Sequence, residues 1–176
     1  MPTPAYISIH GQTQGHITKG AFTAQSVGNV YQEGHEDQIL VQEIEHCIDT
    51  PTDPQSGQPA GQRVHKPFIF TAALNKATPM LYQALANGET LSEVEVKWYR
   101  TSTEGRQEHF FTTKLEDATI VDINTVLPHA QNQKNENYTQ LVEVAMSYRK
   151  ISWTHVTAGT EGSDDWRKPV SYTHLR

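Results

Sequence analysis

The chain has 176 residues, 36% hydrophobic and 19% charged, with a formal net charge of −6, which suits one domain with a sizeable core. Its 14 Lys and Arg lie singly or in pairs such as Arg149-Lys150 and Arg167-Lys168, so the clustered cationic footprint that nucleic acid requires is missing. No run approaches the roughly 18 apolar residues of a membrane-spanning helix, no basic start leads into an apolar stretch as in a signal peptide, and a single cysteine excludes an internal disulfide. These features predict no membrane partner, folding in the cytoplasm, and export by a route without a cleaved signal.

From the start, Ala5, Ile7 and Ile9 alternate with Tyr6, Ser8 and His10, the period of a half-buried strand. Gly11-Gln12-Thr13-Gln14-Gly15 reads as a turn. Val27 and Val30-Tyr31, between Gly28 and Gly34, predict a short strand. The cluster Gly34, His35, Glu36 and Asp37 reads as a turn with solvated charges. Gln38 to Ile48 predicts a longer strand whose apolar phase breaks, the mark of a bulge. Cys47, inside that alternating stretch, is expected to be a small buried or half-buried residue.

Thr50 to Gly61 differs in kind. Pro51, Pro54, Pro59, Gly57 and Gly61 interrupt it, and Thr52, Asp53, Gln55 and Ser56 are small or polar. Proline removes ladder donors and glycine favours turns, so this is a long loop and a candidate contact arm.

Strand pattern resumes at Val64 to Leu74, with Phe68 and Phe70 on one face. One helix follows. Thr78 can cap it, Pro79 fits its first position, Asn87-Gly88 can end it, and Ala77, Leu81, Ala84 and Leu85 form an apolar stripe. The helix could also start a turn earlier, near Asn75. Val94, Val96 and Trp98 then alternate against Glu93, Glu95 and Lys97. Thr103 to Arg106 is a turn, and Glu108 to Thr113 returns as a hairpin strand. Leu115 to Leu127 is a further apolar segment, His129 to Asn137 a polar loop. Tyr138 to Trp153 predicts one last long strand, with Val142, Val144, Met146 and Tyr148 on one face. From Gly159 onward there are turn residues and little pattern, with Trp166 the one large anchor. The expected fold is mainly β: a single-domain β-barrel of two packed sheets over residues 1–169, with one α-helix on its side. Residues 170–176 read as a disordered or non-native tail.

Chemistry is sparse. Nine histidines are scattered, none at helical i, i+4 spacing, and one cysteine supports no zinc pattern, so no metal or cofactor is expected. Glu116-Asp117 and Ser163-Asp164-Asp165 read as solvated turn charges or helix caps. No nucleophile elbow or phosphate loop occurs, and no catalytic residue is assigned. A barrel lined by Phe68, Phe70, Trp98, Phe110, Tyr148 and Trp153 could bind a small ligand as a monomer; such residues more often fill a core.

Several long strings coincide with one family. Pro2 to Ile9 with Gly11 to Gly15, Glu33-Gly34-His35-Glu36-Asp37, Pro51 to Gly57 and Gly61 to Phe68 resemble haemolysin-coregulated proteins (Hcp). So do Leu91 to Arg100, Gln107 to Phe111, Tyr148 to Ile151 and Asp164 to Arg167, in the same order. The resemblance runs from Pro2 to about Pro169, and the last residues depart from it. It implies a barrel-like subunit of the type VI secretion tube of Gram-negative bacteria. Such subunits form six-membered rings that stack head to tail inside a contractile sheath, carry a spike protein at the tip, and hold small effector proteins in the lumen. On that basis Gly34, His35, Glu36 and Asp37, and Pro51 through Gly57, are candidate inter-subunit or inter-ring contacts.

Overall fold

The computed structural model describes residues 3–28 and 33–166. Val30-Tyr31, Arg167-Lys168, His174 and the expected tail at 170–176 lie outside the described residues. Chain order is β1 (Ala5–Gly11), β2 (Gly15–His16), α1 (Ala24–Val27), β3 (Ile39–Glu45), β4 (Ile48–Asp49), β5 (Val64–His65), β6 (Phe68–Ala73), α2 (Thr78–Asn87), β7 (Thr90–Thr101), β8 (Gln107–Val126), β9 (Leu141–Ser147), β10 (Lys150–His155) and β11 (Thr160–Asp165). No described helix is long and apolar enough to cross a membrane.

Alternation dictates the core. Ile7 and Ile9 on β1, Phe70 on β6, Val94 and Val96 on β7, Leu115 on β8, and Val142, Val144 and Met146 on β9 have essentially no exposed surface. Their antiparallel neighbours run β8–β7–β1–β3–β6–β9, and β9 pairs again with β8, which closes a six-stranded barrel. The barrel with its lateral helix is as expected, but its hydrogen bonding is continuous around one sheet rather than divided between two. Phe68, Phe70 and Tyr148 fill the interior, and Trp98 and Trp153 pack against it. The expected bulge in β3 lies between Val41 and Glu43.

β8 joins the closed barrel to a β10–β11 extension of the same sheet. Phe111–Glu116 pairs with β10, and Thr119–Val126 pairs with β9. The change of partner falls at Asp117, whose φ of 50° is the one left-handed non-glycine backbone among the described residues. Arg149 fixes this corner: its N–H donates to the Glu116 carbonyl at 3.1 Å, and its Nε donates to Asp117 Oδ2 at 2.7 Å.

α2 packs Ala77, Leu81 and Ala84 against the barrel. It starts at Thr78 with Ala77 in the cap position and no side-chain cap, and Asn75 orders the turn before it. Asn75 Oδ1 accepts the Ala77 N–H at 2.9 Å, and Thr78 Oγ1 accepts the Asn75 N–H at 3.2 Å. Gly88 ends the helix in the left-handed conformation.

Several sequence expectations need correction. Val27 ends a single helical turn and not a strand. Glu108–Thr113 and Leu115–Leu127 are one strand, because the hairpin partner β7 continues along both. Tyr138–Trp153 is not continuous: the chain breaks at Tyr148-Arg149, where β9 leaves the barrel seam and β10 joins the other half of β8. The supposedly patternless segment after Gly159 forms β11, whose six residues pair with all of β10. Cys47 is exposed. Glu116-Asp117 and Ser163-Asp164-Asp165 sit on strands, and Asp117, Asp164 and Asp165 engage arginines rather than solvent alone.

Candidate contact arm and its anchorage

Between β3 and β6 the chain leaves the barrel and returns. β4 and β5 pair as a two-stranded ribbon, Ile48 opposite His65 and Asp49 opposite Val64. Every residue from Cys47 to Gln62 is exposed. The long loop expected at Thr50 to Gly61 is therefore an ordered arm. Thr52 bridges Pro59, Ala60 N–H donates to the Pro51 carbonyl at 2.7 Å, and Asp53 N–H donates to the Gln58 carbonyl at 2.8 Å. Asp53 organises the tip, its carboxylate accepting the Gln55 N–H at 2.9 Å and the Ser56 hydroxyl at 3.1 Å. Those bonds, the Gln55 N–H foremost, hold its pKa below the usual aspartate range. Gly57 closes the turn with φ 70°, a backbone that glycine adopts without penalty.

The arm is tied down at its base by residues from both its limbs. Arg63 on the returning limb clamps Asp164 of β11 in a two-pronged ion pair, with Nη2 to Oδ1 at 2.9 Å. His65, its side chain 1% exposed, bonds Asp164 Oδ2 through Nε2 at 2.7 Å and the Tyr148 hydroxyl through Nδ1 at 2.6 Å. His46, on the outgoing limb, reaches the same hydroxyl through Nε2 at 2.8 Å. Trp166 stacks over His65 and donates its indole N–H to the Tyr148 carbonyl. Arg63 chiefly, with His65, holds the Asp164 carboxyl below the usual range despite partial desolvation. Burial, then the charge of His65, pushes His46 down, and burial pushes the Tyr148 phenol far up.

The second candidate, Gly34 to Asp37, is a turn as expected, but it is fastened to the barrel's outer wall. Glu36 accepts the Gly34 N–H at 3.1 Å and Asp37 accepts the Gly20 N–H at 3.1 Å, while Phe22 N–H bonds the Glu36 carbonyl at 3.0 Å. The Gly34 N–H leads in holding Glu36 below its ordinary pKa. His35 stacks flat on Tyr6 at 3.8 Å, with Tyr99 edge-on to both rings. The turn bonds to the barrel wall and the arm tip to itself, so the two candidates are separate features.

Sequence reading missed two assemblies: the Arg63–His65–Asp164–Tyr148–His46 knot and a buried carboxylate, Glu89. Glu89 accepts the N–H groups of Thr13 and Gln14 at 2.6 and 2.7 Å and the Gln14 side-chain amide at 2.6 Å, which shapes the Gly11–Gly15 turn. Desolvation alone would raise its pKa; these donors, led by the Gln14 amide, bring it below the usual range. Among the described residues no group of three His, Cys, Asp or Glu is arranged to hold a metal ion.

The fold is thus a filled barrel that carries an ordered, exposed projection and no assembled catalytic or metal centre among the described residues. Comparison with known proteins gives the family. The profile described as type VI secretion system effector, Hcp, matches residues 6–155. The "Major exported protein" of Pseudomonas aeruginosa is 58% identical over 171 residues, 97% of this chain and 99% of that protein. A solved Hcp protein is 57% identical with a TM-score of 0.91, covering 96% of this chain and all of that one. The secreted protein Hcp3 from Pseudomonas aeruginosa is 50% identical with a TM-score of 0.80, over 95% of this chain and all of that one. This chain belongs to the Hcp family: it is a type VI secretion tube protein, exported by that system, and its family is structural rather than enzymatic.

Proposed function

We propose that the chain closes into six-membered rings that stack head to tail into the inner tube, with the Pro51–Gly57 arm tip reaching the next ring and the Gly34–Asp37 turn meeting a neighbouring subunit. The arm carries this reading. Sixteen consecutive residues from Cys47 to Gln62 are exposed, yet they are hydrogen-bonded into a defined shape and clamped at the base. A projection ordered in advance loses little conformational freedom when it docks. Ile48 and Val64 add exposed apolar surface along it. A ring needs two unlike faces that match and close, and a barrel with a lateral arm offers unlike faces.

The remaining partners follow from the same reading. The spike protein caps the tube, the contractile sheath surrounds it, and small effector proteins ride in the lumen; assembly takes place in the cytoplasm before export. A ligand-binding barrel is not favoured, because the barrel axis is filled by side chains such as Ile9, Phe70, Val96 and Met146. Light scattering and negative-stain microscopy test the proposal. Annular particles with a mass six times 19.8 kDa are expected, and a subunit that stays single at every concentration overturns it.

A further inference from the structure

The knot at the arm base can be followed proton by proton. Asp164 is a carboxylate that only accepts, so His65 Nε2 must carry a hydrogen toward it. In the neutral pair, His65 Nδ1 then accepts the Tyr148 O–H, and the Tyr148 oxygen accepts from His46 Nε2. Every group is satisfied. One added proton also fits: placed on His65 Nδ1, with His46 moving its own hydrogen from Nε2 to Nδ1, it reverses both phenol bonds, so Tyr148 donates to His46 Nε2 while Asp164 and Arg63 remain paired. A second proton does not fit. Both imidazolium N–H groups would aim at one oxygen, the phenol hydrogen would lose both acceptors, and two cations would face each other across a single hydroxyl.

We propose that this knot is an acid-operated latch, which holds both limbs of the arm to the barrel while the histidine pair carries at most one proton and loosens the arm when both are protonated, leaving the Arg63–Asp164 pair as the remaining tie. The two histidines lie on opposite limbs of the arm, one before β4 and one in β5, and Tyr148 and Asp164 belong to the barrel and to β11. Losing the shared hydroxyl therefore frees the outgoing limb and leaves the returning limb held through Asp164 alone. The charged and polar groups around the pair are Tyr148, Asp164 and, through Asp164, Arg63, with Phe68 and Trp166 as the apolar walls. Next along, the carboxylates of Asp117 and Asp165 are engaged by Arg149. The sign follows from His46. Its pKa is lowered in the folded chain, so the stability it contributes is complete above about 6.5, the ordinary histidine value, and is lost as pH falls through the lowered one. The latch stands on this geometry alone; only its effect on stacking rests on the proposed role of the arm.

Hydrogen exchange of the full chain, corrected for intrinsic rates and compared between about pH 7.5 and about pH 5, tests the latch. Peptides spanning Cys47 to Lys66 should lose protection by about tenfold in acid, the effect of one lost charge-assisted bond, while β1 and β7 do not change. His46→Gln, with one imidazole left, should abolish the acid response; His65→Gln is the reciprocal single-histidine form. Tyr148→Phe should leave the arm poorly protected at both pH values. Unchanged protection on acidification, or an equal loss in His46→Gln, overturns the latch. An arm that opens in acid while stacked rings persist in micrographs supports the latch and overturns the arm's role in stacking.

Discussion

Gly11 and Glu89 show how one missing Cβ shapes a turn. A methyl on Gly11 would lie 2.9 Å from Glu89 Oε1 and 3.0 Å from its carboxyl carbon. Three donors pin that carboxylate, so it has no room to yield. Gly11→Ala should cost about 1–3 kcal/mol, the usual penalty for overpacking, read as a lower urea midpoint. Glu89→Ala strands the Thr13 and Gln14 N–H groups and should cost about 2–4 kcal/mol. The pH dependence has a definite sign. The Glu89 pKa is lowered on folding, so its contribution is present above about 4.3, the unfolded glutamate value, and fades as pH falls through the folded one. In Glu89→Gln the acid limb of the stability curve should be flatter. None of this is legible locally, because Glu89 and Thr13 stand 76 positions apart and no sequence pattern links them. The knot at the arm base escaped notice for the same reason: Arg63 and Asp164 are 101 positions apart.

At the scale of elements, legibility followed periodicity. β7 was readable because Val94, Val96 and Trp98 face in while Glu93, Glu95 and Lys97 face out. α2 was readable because proline, a helix-forming run and Asn-Gly bracket it. β11 was not, since Thr-Glu-Gly-Ser-Asp-Asp has no apolar period and exists through its register with β10. The arm was half legible: proline and glycine marked its place, but the internal bonding of Asp53 did not show. Asp53→Ala should therefore separate folding from assembly. It removes the acceptor of the Gln55 N–H and the Ser56 hydroxyl in a segment that touches no core residue. The melting temperature should stay within about 2 °C of the parent, well below the shift of a core lesion, while stacked tubes disappear from micrographs. Asp117 is the opposite case. Asp117→Val places a β-branched residue at φ 50° and should lower stability by about 1–2 kcal/mol, with the loss visible in denaturant titration.

Over the whole molecule, charge and closure set the behaviour of assemblies. Each copy brings a net −6, so bringing six together is opposed by long-range repulsion that salt screens. Ring formation followed by light scattering should be little weakened, or strengthened, as salt rises from low to moderate; rings that come apart steadily over that range would mean ion pairs hold them. Within one copy, Phe70 is completely buried at the centre of the barrel, and Phe70→Ala should cost about 3–5 kcal/mol. The strand that changes partner at Asp117 has one more consequence. Because β8 is a spar common to the closed barrel and to the β10–β11 flap, neither can melt without baring the flank of the other. Trp153 on the flap and far-ultraviolet circular dichroism of the barrel should accordingly report the same midpoint, and no cut near Asp117 should yield two halves that fold apart.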